Sequence, residues 1–183
     1  MNAPTKPVLT SQRIVLRDAT PGDVEARFAL GNTPEIQAMF GADPKQVRDI
    51  TPEAAEAWVK NQMDEAHAWM IEAEGQLIGA LRLHTLNPVD RRANIAIGIL
   101  DKNALGKGYG TEAMHLLASH AFGAMGLHRL SCRVLSFNEA AIAAYEKLGF
   151  VAEGRERESA LIGDEWHDDI IMGLLAQDLK APR

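Results

Sequence analysis

The chain has little with which to cross-link itself. Its 183 residues include one cysteine, Cys132, which excludes an intramolecular disulfide and leaves no cysteine cluster for zinc. No His, Cys or Asp set has metal-ligand spacing, so no metal is expected. Aromatic residues are few, at 5%, and no apolar run approaches the roughly 20 residues that cross a bilayer. Residues 1–7 are polar and carry no apolar stretch of the secretory kind, so a cytoplasmic address with no membrane role is the simplest expectation. Basic charge is also short. With 19 Lys and Arg against 25 Asp and Glu, the net charge is −6, and no Lys/Arg run would neutralise a phosphate backbone. Nucleic acid is therefore not an expected partner. An acidic surface attracts cations, which is compatible with an amine substrate.

What is present is ordinary for a globular domain: 46% hydrophobic and 24% charged residues. No repeat, low-complexity tract or Pro/Gly/Ser-rich linker interrupts it. Residues 11–179 are expected to form one domain, with 1–10 and 180–183 as tails.

Arg13 to Arg17 reads as a short strand. Thr20-Pro21-Gly22-Asp23 has a hydroxyl cap, a Pro at the first helical position and a carboxylate at the third, predicting a helix to about Leu30. Thr51-Pro52-Glu53 predicts a second, with Trp58, Val59 and Met63 on one buried face. Residues 32–50 read as loop with at most one short helix. Strands follow at 68–73 and 77–84, joined tightly through Glu74-Gly75-Gln76, and at 92–100 after a turn at 87–90. The last of these carries Ile95, Ile97 and Ile99 on one face and the small Asn94, Ala96 and Gly98 on the other.

A helix over 110–125 ends at Gly126, a strand covers 129–135, and Asn138 caps a helix ending at Leu148-Gly149. Strands at 150–158 and 167–174 close the chain around a turn at 162–165. The β-α-β crossover makes strands 92–100 and 129–135 parallel. The expectation is an α/β (α+β) fold: a mixed, mostly antiparallel seven-stranded sheet with helices on both faces.

Two stretches bear on chemistry. Gly106-Lys107-Gly108-Tyr109-Gly110-Thr111 lies between a strand and a helix. Glycines there let backbone N–H groups approach an anion at a helix N-terminus, although a flexible turn would look the same. The Walker A ending is absent, and Thr111 stands where a dinucleotide fingerprint needs glycine. The second stretch is Asn138, Ala141, Tyr145, Gly149 and Phe150. Asn138 and Tyr145 fall near one helix face two turns apart, which taken alone also describes an N-cap and a core tyrosine.

Together the two stretches resemble the acetyl-CoA signature of the GNAT superfamily of N-acetyltransferases: Q/R-x-x-G-x-G/A, then N-x-x-A-x-x-x-Y-x-x-x-G-F. The opening Leu16-Arg17-Asp18-Ala19-Thr20-Pro21-Gly22-Asp23 and the closing His167-Asp168 resemble the branch of ribosomal-protein N-terminal and polyamine acetyltransferases. The resemblance implies a splayed parallel strand pair admitting acetyl-CoA as cosubstrate. Backbone groups of Gly98, Ile99 and Leu100 would pair with the pantetheine arm. N–H groups of Gly106, Lys107, Gly108, Tyr109, Gly110 and Thr111 would hold the pyrophosphate. Asn138, with Ala141 in the same motif, would bind the arm, and Tyr145 would protonate the departing thiolate.

The implied activity is transfer of acetyl to a primary amine by direct attack, with a non-catalytic acyl-CoA sensor as the alternative. Leu105 replaces the usual Gln or Arg. Asn94 and Arg133 stand where relatives often place a basic carboxylate, so a water chain or a carboxylate elsewhere would have to serve. His84, at a strand end, could also act as a base, although such a histidine is more often polar surface. Residues 32–50, the second helix and the 162–166 turn would form the acceptor pocket. Exposed sheet edges fit a homodimer.

Overall fold

The computed structural model describes residues 6–182. Eight strands form one sheet: β1 (Leu9–Thr10), β2 (Ile14–Arg17), β3 (Ala68–Ala73), β4 (Gln76–Asn87), β5 (Arg92–Ile99), β6 (Arg129–Leu135), β7 (Val151–Ile162) and β8 (Glu165–Leu175). Their order is β1-β2-β3-β4-β5-β6-β8-β7. Only β5 and β6 are parallel, and every other neighbouring pair is antiparallel. The helices are α1 (Asp23–Leu30), α2 (Pro34–Ala38), α3 (Pro52–Asp64), α4 (Tyr109–Phe122) and α5 (Glu139–Leu148).

The eighth strand is a correction to the expected seven. Leu9–Thr10 pairs with Val15 and Leu16 rather than trailing as a tail. The segment before it is tied down too, since Trp69 Nε1 donates to Pro7 O and Lys6 Nζ donates to Ala68 O. At the other end Lys180 N–H donates to Leu148 O at 2.9 Å. Residues 1–5 and 183 of the expected tails lie outside the described residues.

Alternation along β3 shows how the sheet is covered. Trp69 and Ile71 join the larger core with Leu16, Leu81, Leu117 and Leu130, under α4 and α5. Met70 points the other way, packing with Ala19 and Leu77 beneath Ala26, Leu30 and Trp58 of α1 and α3. Burying each such large side chain contributes roughly 1.5–3 kcal/mol, so both faces hold their helices by the same force.

Local chemistry explains which helix ends were legible. Thr51 caps α3 as expected, its side chain accepting from Ala54 N–H at 3.2 Å. Thr20 does not cap α1. Pro21 and Gly22 form a turn, α1 begins at Asp23, and the Asp23 carboxylate instead accepts from Thr20 N–H at 2.7 Å and from Arg17. On α3, Val59 and Ala55 are the buried positions, while Met63 is exposed, one turn beyond the sheet contact. Helix α4 stops at Gly123 rather than Gly126, which lies in the next turn at φ 65°. The closing hairpin runs longer than expected, with two register shifts in β7.

Candidate active site

The Gly106–Thr111 stretch is the entry to α4. Gly106 and Gly108 adopt φ 74° and 82°, and Gly108 occupies the N-cap position without a side chain. These left-handed conformations are what let the loop turn its amides toward one point. The first backbone bond into the helix is Glu112 N–H to Gly108 O, at 3.1 Å. Among the described residues, none of the N–H groups from 106 to 111 donates to a backbone carbonyl. A helix start with this many unspent donors is suited to a diphosphate.

Side chains around the loop are committed to the protein. Tyr109 is buried, and its hydroxyl donates to Glu74 at 2.9 Å, a bond that raises its pKa above the ordinary tyrosine value. Arg13 donates to Lys107 O at 3.1 Å, lies 4.9 Å from the Tyr109 ring centroid, and pairs with Glu112 at 2.6 Å. Glu112 sits in the first turn of α4, where its charge would repel a phosphate. Burial alone would raise its pKa, but the bonds from Ser11 and Arg13 prevail and hold it below the usual range. Sequence reasoning had assigned Arg13 to a strand only. A recess of about 790 Å³ beside the loop is lined by Arg13, Gly108, Thr111, His115 and Lys147.

The parallel strands part as the family resemblance implied. Pairing of β5 with β6 covers Arg92–Arg129, Ala93–Leu130 and Asn94–Ser131, and ends there. Beyond Asn94, β5 keeps only β4 as neighbour. Leu100 N–H donates to Ile78 O at 2.8 Å, whereas Arg91 O accepts from β6. Successive residues face opposite edges of a strand, so Gly98 and Leu100 turn toward β4 while Ile97 and Ile99 face the gap. Of the three expected backbone partners, Gly98 and Leu100 thus face β4, with Leu100 N–H already spent on Ile78, and Ile97 joins Ile99 as an open one.

Across the gap, α5 brings the second motif to β6. Asn138 caps this helix, its Oδ1 accepting from Ala141 N–H at 3.2 Å, which leaves its Nδ2 for a ligand. Tyr145 is 5% exposed and packs edge-on against Phe150, at 5.0 Å between centroids. Burial, and then the neighbouring Cys132 of β6, push its hydroxyl well above the ordinary pKa of 10.0. Burial likewise pushes the Cys132 thiol up to about 12. Both groups are therefore protonated at neutral pH.

On the opposite sheet face is a cleft of about 320 Å³. Its floor is the small face of β5: Ala96 and Gly98, with Phe40 packed so that a Cβ on Gly98 would lie 3.2 Å from its ring. Gln37 and Phe40 from the 32–50 segment and Trp58 and Gln62 of α3 line it, as expected. The 162–166 turn contributes no lining residue, although Gly163 lies against Asp43 of that segment. Arg27 and Arg82 also line the cleft, and no Asp or Glu does.

Neither Asn94 nor Arg133 supplies a base. Arg133 pairs with Glu156 at 3.4 Å and with the buried Asp169 at 3.2 Å. His84 is opposite Asn94, where the strands begin to part. Its pKa is lowered by burial and by Arg82, which keeps the imidazole neutral.

Alongside the two motifs and the splayed parallel strands, residues 13–151 match the acetyltransferase (GNAT) domain. The chain belongs to the GNAT acetyltransferase family. It is 29% identical over 155 residues to an uncharacterized N-acetyltransferase, YoaA, of Bacillus subtilis, covering 83% of this chain and 87% of that one. It is 33% identical over 110 residues to Bacillus subtilis YdaF, provisionally named a ribosomal N-acetyltransferase, covering 60% of each chain. The solved spermidine N-acetyltransferase of Vibrio cholerae, in complex with CoA and spermine, superposes with a TM-score of 0.76. That match has 23% identity over 92% of this chain and 98% of that one. No helix among the described residues is long and apolar enough to cross a membrane.

Proposed function

We propose that this enzyme binds acetyl-CoA through the 106–111 loop, Ile97, Ile99 and Asn138, and passes the acetyl group directly to a primary amine. The observation that carries the reading is the parting of β5 from β6 beside an unspent helix start. The phosphates lie on the loop amides, and the arm runs along the open edge of β5 as an added strand. The thioester carbonyl is polarised by an open β5 amide, in the manner of an oxyanion site.

The amine enters from the opposite face and attacks as the free base. The carbon–nitrogen bond forms as the carbon–sulfur bond breaks, and Tyr145 gives its proton to the leaving sulfur. No carboxylate lines the cleft to take a proton from an ammonium. The two guanidinium groups help instead, because like charge disfavours the protonated amine. Water, or the neutral His84 on the same face, carries the proton away. The lone Cys132, buried and protonated, suits a cytoplasmic setting. The outer strand β7 supports a homodimer formed along that edge.

Gly108→Asp tests the coenzyme assignment. Asp tolerates the left-handed backbone better than most residues, so the circular dichroism should stay native. The added carboxylate should reduce acetyl-CoA affinity by about 100-fold or more, since it meets the phosphates with like charge and blocks the amide approach. Calorimetry giving wild-type affinity in a folded variant would remove the loop from the site.

A further inference from the structure

The cleft opposite the coenzyme side carries an electrostatic feature that acyl transfer alone does not require. Arg27 is 5% exposed, yet no carboxylate neutralises it. Its Nη1 donates to Gly31 O at 2.8 Å and its Nη2 to Asn32 Oδ1 at 2.9 Å, both uncharged acceptors. The guanidinium carbon lies 5.2 Å from the centroid of the Trp58 ring, and Nε–H has no partner at all. Burial pulls the pKa of this group down. Arg82, exposed on β4, lines the same cleft. Among the described residues neither guanidinium enters an ion pair, although most other arginines on the sheet do.

A buried cation without a counter-charge is costly, and such groups are normally paired or held for a ligand. The protein as a whole carries −6, so this positive cleft runs against its overall charge. An excess of carboxylates elsewhere and their absence here select against a polycationic acceptor at this site. A guanidinium fork matches a carboxylate or phosphate in geometry as well as charge.

Resting on the acyl-transfer reading above, we propose that the acceptor is a small amine that also bears an anionic group, carboxylate or phosphate, received by Arg27 and Arg82. The apolar wall of Phe40 and Trp58 then takes the rest of the molecule. The cleft volume of about 320 Å³ holds a molecule of amino-acid to small nucleotide-fragment size. Spermine, bound by the Vibrio cholerae neighbour, has the opposite charge.

The test uses matched pairs of amines: L-methionine against methionine amide, β-alanine against β-alaninamide, phosphoethanolamine against ethanolamine, with spermidine alongside. Thiol release from acetyl-CoA gives kcat and KM for each. In parallel, calorimetry on the CoA-bound protein compares N-acetyl-methionine with N-acetyl-methionine amide. The anionic member of at least one pair should show about tenfold higher kcat/KM, as expected for a charge-assisted bond, and the anionic product should bind tighter than its amide. The carboxylate and phosphate pairs separate the two anion types. Arg82→Gln, on an exposed position, should raise KM for the anionic acceptor about tenfold, leave CoA affinity unchanged, and lower the kcat/KM ratio of the anionic acceptor over its neutral partner. Arg27→Lys keeps the charge but loses the fork, and should weaken the same preference. Neutral amines or spermidine preferred throughout, or anionic and amide products binding equally, would overturn the proposal and leave acyl transfer standing. Acetyl-CoA binding without thiol release from any amine would instead defeat the transfer reading, and the product calorimetry still decides anion recognition.

Discussion

Around the 106–111 loop, single residues settle how much negative charge a coenzyme phosphate would meet. Glu112 is the one carboxylate in the first turn of α4, and Arg13 neutralises it while bracing Lys107 O. Arg13→Gln should therefore weaken acetyl-CoA binding about tenfold, and Glu112→Gln in the same background should recover most of the loss. Because the pair is partly exposed, the effect should shrink at high salt. Calorimetry at low and high ionic strength measures both, and an Arg13→Gln protein with unchanged affinity at low salt would show that Arg13 only fastens the loop. Asn138 divides its work within one side chain: the oxygen caps α5 and the nitrogen stays open. From the sequence these two uses were indistinguishable, because both need the same residue at the same helix start.

The strands and helices set where those residues stand, and β5 is the element on which the site depends. Gly79 of β4 approaches it so closely that a Cβ there would lie 2.0 Å from Gly98 O. The obstacle is backbone, so no rotamer change relieves it. Gly79→Ala should destabilise the fold by about 1–3 kcal/mol, or more if β5 cannot shift, and should widen the gap beside Gly98. Urea unfolding monitored with acetyl-CoA affinity checks this, and an Ala variant of wild-type stability would mean that β4 and β5 separate freely.

Elements with strong local signals were legible in advance. The Thr51 cap, the Glu74-Gly75 turn at φ 54° and 75°, and the Gly149 stop at φ 110° all act over a few residues. Elements defined by distant partners were not. Leu9–Thr10 has no alternation to announce it and becomes a strand only because β2 is beside it. Thr20 carried the right residue for a cap, but Arg17 and Glu72 organise the neighbouring Asp23 in another way. In the closing hairpin, Ile162 and Glu165, read as turn, pair as strand because the connection narrows to Gly163 and Asp164.

At the scale of the whole molecule, the proposed function divides two substrates between the two faces of one sheet. The larger core, under α4 and α5, carries the 106–111 and 138–150 motifs, and each is contiguous in sequence, which is why both could be read. The cleft proposed for the acceptor draws on residues spread from Arg27 to Leu100, from α1, α2, α3, β4, β5 and the turns beside them. Its positive character contradicts the cation-seeking surface inferred from net charge, because a sum over the chain says nothing about where the charges stand. The small face of Asn94, Ala96 and Gly98 was visible, but that it floors a cleft followed only from the packing of Phe40 and Trp58 above it.

The role proposed for Tyr145 joins the two faces in one reaction, and Tyr145→Phe is its most direct test. It removes one hydroxyl and keeps the ring that packs against Phe150. Steady-state thiol release should show kcat lowered by about 100-fold, as for loss of other general acids, with acetyl-CoA affinity unchanged. The pH profile adds a second check. Burial holds the phenol well above 10.0, so it keeps its proton as pH rises, and wild-type kcat should not fall through phenol ionisation anywhere below that value. A Tyr145→Phe enzyme with wild-type kcat would contradict the account, leaving Tyr145 as core packing and the thiolate to depart without a protein acid.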